Sequence, residues 1–164
     1  MPDGLKRVYW DSCIFISYIE QTPDRIAVID AILHQAHNAR DVEIFTSVLS
    51  IAEVAFAETE RINKALDPGV EMDLDRLWAD PMIRLVEVNP VVCRGARDVV
   101  RTVMIRHETQ EEPSLRSADA VHLATAQWIN TNEFHTCDHR LLRHTGLLGF
   151  PIIEPVIPQP RLIP

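Results

Sequence analysis

The sequence predicts one α/β domain in which helices cover both faces of a mostly parallel sheet, giving three α/β/α layers. Two observations predict this fold. First, β-prone runs alternate along the chain with helical patterns of about 10 to 20 residues, and crossovers of that length join parallel strands. Second, the 164 residues are 46% apolar, which suffices for one sizeable core, and no Gly/Ser-rich linker divides them.

The first strand and the helices after it lie at the start of the chain. Residues 7–10 (RVYW) are a β-prone run that ends at Asp11, and the helical segment CIFISYIE follows. A further helix is predicted over residues 25–40, where apolar residues recur at helical spacing after start signals around Pro23.

The rest of the chain repeats the alternation. VEIFTS at 42–47 predicts a strand, and residues 48–66 predict one long helix that ends at the Asp-Pro-Gly breaker at 67–69. The remaining predicted elements are a helix at 72–79, a strand at 83–88, a helix at 91–106, a loop at 111–113, a helix at 115–130 and strands at 134–137 and 150–155.

Residues 1–157 are therefore expected to form a single domain, and residues 158–164 a proline-rich C-terminal tail. The three cysteines are far apart and lack CxxC spacing, which argues against a disulfide framework or a zinc ribbon and favours a reducing cytoplasm. No segment approaches the roughly 20 apolar residues that span a bilayer, so we expect a soluble protein without membrane contact. The net charge of −8 argues mildly against nucleic-acid partners.

Four acids are expected at the carboxyl edge of the sheet, where ligands bind in open parallel sheets. Asp11 directly follows the first strand, and Glu53 lies about two turns after the second. Asp119 is near the start of the fourth long helix, and Asp138 directly follows the strand FHTC. Because carboxylates in one pocket repel one another, their convergence favours a hard divalent cation such as Mg²⁺ or Mn²⁺.

Each acid also has a purely structural interpretation. Ser50 and Glu53 have the spacing of a capping box, and Ser117 can cap the helix that carries Asp119, placing that acid favourably at the helix dipole. Asp11 and Asp138 can each cap the helix that follows. Capping explains each acid singly, but it does not explain why all of them reach the same edge.

Four blocks of the sequence occur in a familiar order: VYWDSCIFI, TSVLSIAEV, SADAVHLATA and HTCDHRL, which together span residues 8–141. In this order they resemble the PIN-domain nucleases, particularly the toxin ribonucleases of VapBC-type toxin–antitoxin pairs. The resemblance implies an acidic centre of Asp11, Glu53, Asp119 and Asp138, with Ser12 in the place of a hydroxyl residue, commonly Thr. It also implies the strand order 3-2-1-4-5, homodimers and inhibition by a cognate antitoxin.

The chemistry that the resemblance implies is metal-dependent hydrolysis of RNA phosphodiester bonds. Asp11 and Asp119 would be the firmest metal ligands, and Asp138 a further ligand or a holder of water. Glu53 would be a ligand or would accept the proton of the attacking water.

A polyanionic substrate needs local positive charge in a protein that is acidic overall. Arg94, Arg97 and Arg101 form a stripe on one predicted helix, opposite an apolar face, and Arg116 and Arg140 extend the candidate RNA-binding set. The competing interpretation of the stripe is an ordinary solvated helix face.

Two other functions stay open. The first is a PIN-like scaffold that binds RNA or a protein partner without cutting. The second is a phosphatase with an aspartyl nucleophile, although the second Asp common in that chemistry is Cys13 here. The five glycines include no phosphate-binding loop, so a nucleotide cofactor has no support. His122 is assigned to helix packing.

Overall fold

The computed structural model of the protein describes residues 5–39, 41–106 and 115–157. The elements in these ranges, in chain order, are β1 (Lys6–Trp10), α1 (Ser12–Ile19), α2 (Pro23–Asn38), β2 (Val42–Ser47), α3 (Leu49–Glu53), α4 (Glu58–Asn63), α5 (Pro68–Trp78), β3 (Ile83–Val86), α6 (Pro90–Arg106), α7 (Ser117–Trp128), β4 (Glu133–His135), α8 (His139–Leu142) and β5 (Ile152–Ile153).

The five strands form one sheet in the order β3-β2-β1-β4-β5, and every neighbouring pair is parallel. Lys6 pairs with Val42 on one side of β1, and Trp10 pairs with His135 on the other. Helical crossovers connect these parallel neighbours and cover the sheet. The predicted α/β/α class and the strand order 3-2-1-4-5 are both confirmed.

The hydrophobic core lies on both faces of the sheet. Tyr9 and Trp10 are consecutive in β1 and fully buried, so their side chains point to opposite faces. Trp10 packs with residues of α1 and α2, whereas Tyr9 stacks on Phe134 in the cluster that includes α6 and α7. Helices α6 and α7 approach closely, since a Cβ at Gly95 would lie 3.4 Å from Ala124 Cβ.

The prediction of one long helix over residues 48–66 is wrong. Helix α3 ends at Glu53, and the chain is not helical again until Glu58. Val54, just after α3, is buried in the core. The carboxylate of Glu60 accepts a hydrogen bond from Ala57 N at 3.1 Å, which satisfies a backbone donor at the start of α4.

The Asp-Pro-Gly sequence at 67–69 begins a helix and does not end one. Asp67 is the N-cap of α5, and its carboxylate accepts a hydrogen bond from Gly69 N at 2.8 Å. Proline fits the first position of a helix, where its missing N–H is not needed. Helix α5 therefore starts at Pro68, earlier than the predicted residue 72.

Two predicted features, the loop at 111–113 and the tail at 158–164, lie outside the described residues. Within the described ranges, every helix is too short or too polar to cross a bilayer.

Candidate active site

Asp11 occupies the junction between β1 and α1, where it serves as the helix N-cap. The residue is only 5% exposed. One carboxylate oxygen, Oδ1, accepts a hydrogen bond from Ser12 N at 2.8 Å, and the other accepts one from the hydroxyl of Thr136 at 2.8 Å. Thr136 follows β4, so this bond ties the ends of two neighbouring strands together. The predicted capping role is present, and it accounts for only one of the two oxygens.

Asp119 lies in the first turn of α7, partly buried and facing the other acids. Burial raises the pKa of its carboxyl, and the charges of Asp11 and Asp138 raise that pKa further, against the opposing influence of Arg140 and Arg116. The charges of Asp11 and Asp138 act on Asp119 because these carboxylates lie near it. The structure therefore brings three of the four predicted acids near one another.

The expected cap of α7 is a different residue. Arg116 is the N-cap, and its side chain makes no capping hydrogen bond, whereas Ser117 is already the first helical residue. The prediction that Ser117 caps this helix is wrong. Asp119 in the first turn is the acid nearest the helix N-terminus, where the dipole favours a negative charge.

Asp138 is the N-cap of α8 and is held by an arginine two residues later. Its Oδ1 accepts from Arg140 N at 2.9 Å. The Arg140 guanidinium forks onto the carboxylate, with Nε 3.0 Å from Oδ1 and 3.1 Å from Oδ2 and with Nη2 on Oδ2. The hydrogen bond from Arg140 lowers the pKa of Asp138 despite partial burial. Arg140 thus supplies positive charge at the acidic site.

Glu53 is the last residue of α3, and its environment differs from that of the three aspartates. The capping-box interpretation is wrong, because Val48 is the N-cap of α3 and the Ser50 hydroxyl bonds to Thr46 instead. The Glu53 carboxylate bonds to His122, with 2.6 Å between Oε2 and Nε2. Burial raises the pKa of Glu53, but the hydrogen bond and charge of His122, with a hydrogen bond from Ser12, outweigh burial and lower it.

His122, which sequence reasoning assigned to packing, anchors a buried chain of hydrogen bonds. It is 1% exposed, and its Nδ1 lies 2.7 Å from the hydroxyl of Tyr9, which is 0% exposed. Ser47 N donates to the same hydroxyl at 2.9 Å. Burial keeps the pKa of Tyr9 well above its ordinary value, so the phenol retains its proton. On the other side of the ring, Nε2 donates to the Glu53 carboxylate.

One signal in the sequence marks His122. It stands three residues after Asp119, so the two side chains lie on the same side of α7. Its partner Glu53 comes from a helix 69 residues earlier in the chain.

Ser12 links the two sets of acids. Its hydroxyl lies 3.4 Å from Asp11 Oδ1, and a hydrogen bond from it helps to lower the pKa of Glu53. Ser12 therefore lies between Glu53 and Asp11, and Glu53 is at the same carboxyl edge of the sheet as the three aspartates.

The donor set suits a hard cation in its chemistry. Carboxylate oxygens are the ligands that Mg²⁺ and Mn²⁺ prefer, and the repulsion felt by Asp119 favours added positive charge. Among the described residues, however, no three His, Cys, Asp or Glu side chains lie close enough together to hold an ion as they stand. Asp138 is bonded to Arg140 and Glu53 to His122. Asp11 and Asp119 have no cationic or imidazole partner at hydrogen-bond distance within the described part of the chain.

The arginines fall into two groups. Arg94, Arg97 and Arg101 are exposed on α6, opposite a buried apolar face, as predicted, and Arg97 is bound to the neighbouring Asp98 at 2.9 Å. Arg116 and Arg140 lie beside the acids, since the charges of both lower the pKa of Asp119 and of Asp138. The second group is therefore the one that the structure brings to the site.

The chain matches the family model of the PIN domain over residues 8–147. It belongs to the PIN-domain family. The matched range contains all four acids and Ser12. No curated protein sequence is significantly similar to the chain.

Solved structures resemble this PIN domain in fold. VapBC2 from Rickettsia felis, bound to a DNA fragment from the promoter, is 15% identical with a TM-score of 0.59, covering 90% of this chain and 97% of its own. FitAcB from Neisseria gonorrhoeae is 16% identical with a TM-score of 0.59 and the same coverage. Mycobacterium tuberculosis VapC20, described as a toxin that cleaves the Sarcin-Ricin loop, is 13% identical with a TM-score of 0.58, covering 93% and 99%.

Proposed function

We propose that this PIN domain is a metal-dependent endoribonuclease that hydrolyses RNA phosphodiester bonds and acts in the cytoplasm as the toxin of a toxin–antitoxin pair. The observation that carries the proposal is the convergence of Asp11, Asp119 and Asp138. Burial raises the pKa of Asp119, and the charges of Asp11 and Asp138 raise it further. Mutually repelling carboxylates cost free energy unless a cation or a proton compensates them, and a catalytic metal site supplies the reason to keep them.

Asp11 and Asp119 would hold Mg²⁺ or Mn²⁺, with Asp138 as a further ligand or a holder of water. When bound, such an ion lowers the pKa of a coordinated water and stabilises charge on the attacking and leaving oxygens. The chain's own residues then position the reactants. Thr136 and Ser12 orient the Asp11 carboxylate through their hydrogen bonds.

Glu53 is the candidate acceptor of the water's proton. It is ionised at neutral pH, and its lowered pKa makes it a weaker base than an unpaired glutamate, so the role rests on its position. His122, which is itself bonded to Tyr9, holds the carboxylate from the buried side.

Arg116 and Arg140 are the candidate phosphate contacts. Both lie beside the acids, and together with Asp119 and Arg143 they line a small cavity of about 20 Å³. In a chain of net charge −8, an RNA strand needs such local positive charge to approach. The stripe of Arg94, Arg97 and Arg101 would extend contact along the RNA backbone.

The toxin role is supported by the four sequence blocks, which resemble VapBC-type toxins, and by the fold shared with VapBC2 and VapC20. It implies a cognate antitoxin as partner and a homodimer as the assembly. A small gene for a DNA-binding antitoxin beside the gene of this chain would support this role.

A scaffold that binds RNA or protein without cutting is the second candidate. The fork of Arg140 on Asp138 favours it, because that ion pair already supplies positive charge at the acidic edge. In a nuclease, Asp138 would have to give up Arg140 in order to act as a metal ligand.

The deciding experiment incubates the purified full chain, freed of any bound antitoxin, with structured RNAs in Mg²⁺, Mn²⁺ or EDTA. We expect cleavage that needs the ion and that Asp11→Asn abolishes, with circular dichroism showing an intact fold. Asp75→Asn, which removes an exposed carboxylate on α5, is the matched control and should cut normally. If no RNA is cut under any condition but RNA is still bound, the scaffold is the better description.

A further inference from the structure

A second concave site lies at the opposite edge of the sheet from the acids. It is a cavity of about 390 Å³, within the usual range for small-molecule sites. Three of its lining residues, Lys6, Val42 and Glu133, are the first residues of β1, β2 and β4. The acids follow the other ends of those strands, so this cavity is distinct from the candidate active site.

Two buried hydrogen-bonding atoms at this cavity have no partner among the residues that the structure describes. His135 is 3% exposed, and its Nδ1 makes no hydrogen bond. Oε1 of Gln35, which also lines the cavity, is likewise buried and unbonded. An unsatisfied buried polar atom costs free energy, and two of them lining one cavity indicate a missing partner.

Gln35 offers this cavity a hydrogen-bond acceptor. Its amide nitrogen donates to Asp41 Oδ2 at 3.1 Å, which fixes Oε1 as the unbonded end. Nε2 of His135 lies 3.0 Å from a carboxylate oxygen of Glu133 and donates to it, so the ring presents its other nitrogen, Nδ1, to the cavity. The missing partner of Gln35 is therefore a donor.

The charge around the cavity favours a cation. Among the described lining residues the one permanent cation is Lys6, and its ammonium is bound to Glu133 Oε1 at 2.6 Å. Two carboxylates, of Glu133 and Asp41, line the same cavity. Hydrogen bonds from His135 and Lys6 lower the pKa of Glu133 to about 2, so this carboxylate is ionised at neutral pH.

The remaining wall is aliphatic. Val8, Ile32 and Val42 form its buried part, and Val156 and Ile157 its exposed rim. A ligand that fits must therefore combine a positively charged donor with a hydrocarbon stem.

We propose that this cavity binds a small aliphatic amine or guanidine, whose cationic head donates to Gln35 Oε1 near the carboxylates of Glu133 and Asp41 while its stem packs on the valines and Ile32. The site goes beyond the ribonuclease proposal and does not depend on it.

The test is calorimetric titration of the full chain with agmatine and putrescine, with pentanoate and 1-pentanol as controls that keep the stem but lack the cationic donor. We expect saturable binding of one equivalent of the cations and a higher unfolding temperature in their presence. Equal binding of pentanoate or 1-pentanol, or no saturable binding of either cation, would overturn the proposal.

Two variants locate the ligand. Gln35→Met and His135→Phe keep side-chain bulk but remove the two unpartnered polar atoms, and each should weaken agmatine binding by about tenfold or more. Gln127→Met, at an exposed position on α7, is the matched control and should bind as the parent does. If His135→Phe does not fold, Gln35→Met alone decides, and unchanged affinity in that variant contradicts the site.

Discussion

Asp119 and Glu53 are both partly buried carboxylates at the same edge of the sheet, yet their pKa values shift in opposite directions. Burial raises the pKa of each. For Asp119 the charges of two other aspartates add to burial, whereas for Glu53 a histidine and a serine hydroxyl outweigh it. The comparison teaches that the neighbours of these two acids, and not burial, set the direction of each pKa shift. Under the proposed function, Asp119 would hold a cation and Glu53 would be an ionised proton acceptor.

Asp119→Asn should have the largest effect on activity. Removing one charge from the aspartate cluster takes away a predicted metal ligand, so cleavage in Mn²⁺ should fall by on the order of 10²-fold or more. The measurement is the initial rate on an RNA that the parent cuts. A variant that retains most of that rate would exclude Asp119 from the reaction.

His122→Phe should have the largest effect on stability. It leaves the Glu53 carboxylate and the Tyr9 hydroxyl without their shared partner, and a loss of roughly 3 kcal/mol in the free energy of unfolding is expected. Urea titration measures it. Adding Tyr9→Phe to His122→Phe should cost less than Tyr9→Phe alone, because the stranded hydroxyl is then removed. Strict additivity would show that the two side chains do not act as a unit.

Arg140→Ala sharpens the comparison by changing the neighbours of an acid while leaving the acid in place. The hydrogen bond from Arg140 is the main cause of the lowered pKa of Asp138, and its charge also lowers that of Asp119. Both pKa values should therefore rise in the variant, Asp138 more than Asp119. Carboxyl carbon shifts followed by NMR across pH 2 to 7 report them. A fall in either value would contradict the assigned geometry.

Glu133 repeats the Glu53 arrangement at the opposite edge of the sheet, since it too bonds to a buried histidine. Hydrogen bonds lower its pKa from 4.5 to about 2, so its contribution to stability is present above pH 4.5 and is lost as the pH falls toward 2. Glu133→Gln should flatten the pH dependence of unfolding within that window. Urea midpoints measured at intervals between pH 4.5 and 2 test it, and an unchanged slope would count against the bond to His135.

The sequence predicts those parts of the site that depend on local patterns, and it does not predict contacts between residues far apart in the chain. Asp11 directly follows β1, and Asp138 lies three residues after the end of the neighbouring parallel strand β4, so alternation and strand order suffice to place them at one edge. The role of His122 requires knowing that α3 stops at Glu53 and turns that side chain toward α7. Spacing along the chain does not contain that information, because residues 48–66 have the composition of one continuous helix.

For the basic residues too, the sequence pattern predicts which side chains are exposed but not which partners they contact. The helical spacing of Arg94, Arg97 and Arg101 predicts a stripe, and the stripe is exposed as expected. That Arg140 folds back onto Asp138 is a consequence of the turn at the start of α8, where the backbone and the guanidinium reach the same carboxylate. Local geometry of this kind is set by the packed structure and not by periodicity.

The central claim is that repulsion from neighbouring aspartates makes Asp119 favour a bound cation, whereas His122 already compensates the charge of Glu53. Thermal unfolding of Asp119→Asn and Glu53→Gln at pH 7 tests this claim most directly. In EDTA an acid with a raised pKa destabilises the fold when ionised, whereas one with a lowered pKa stabilises it. Asp119→Asn should therefore unfold at a higher temperature than the parent, and Glu53→Gln at a lower one. Each change in the free energy of unfolding should be less than about 1 kcal/mol after solvent screening. Mg²⁺ should then stabilise the parent more than Asp119→Asn. Shifts of the same sign in the two variants, or an equal Mg²⁺ effect in the parent and Asp119→Asn, would contradict the account.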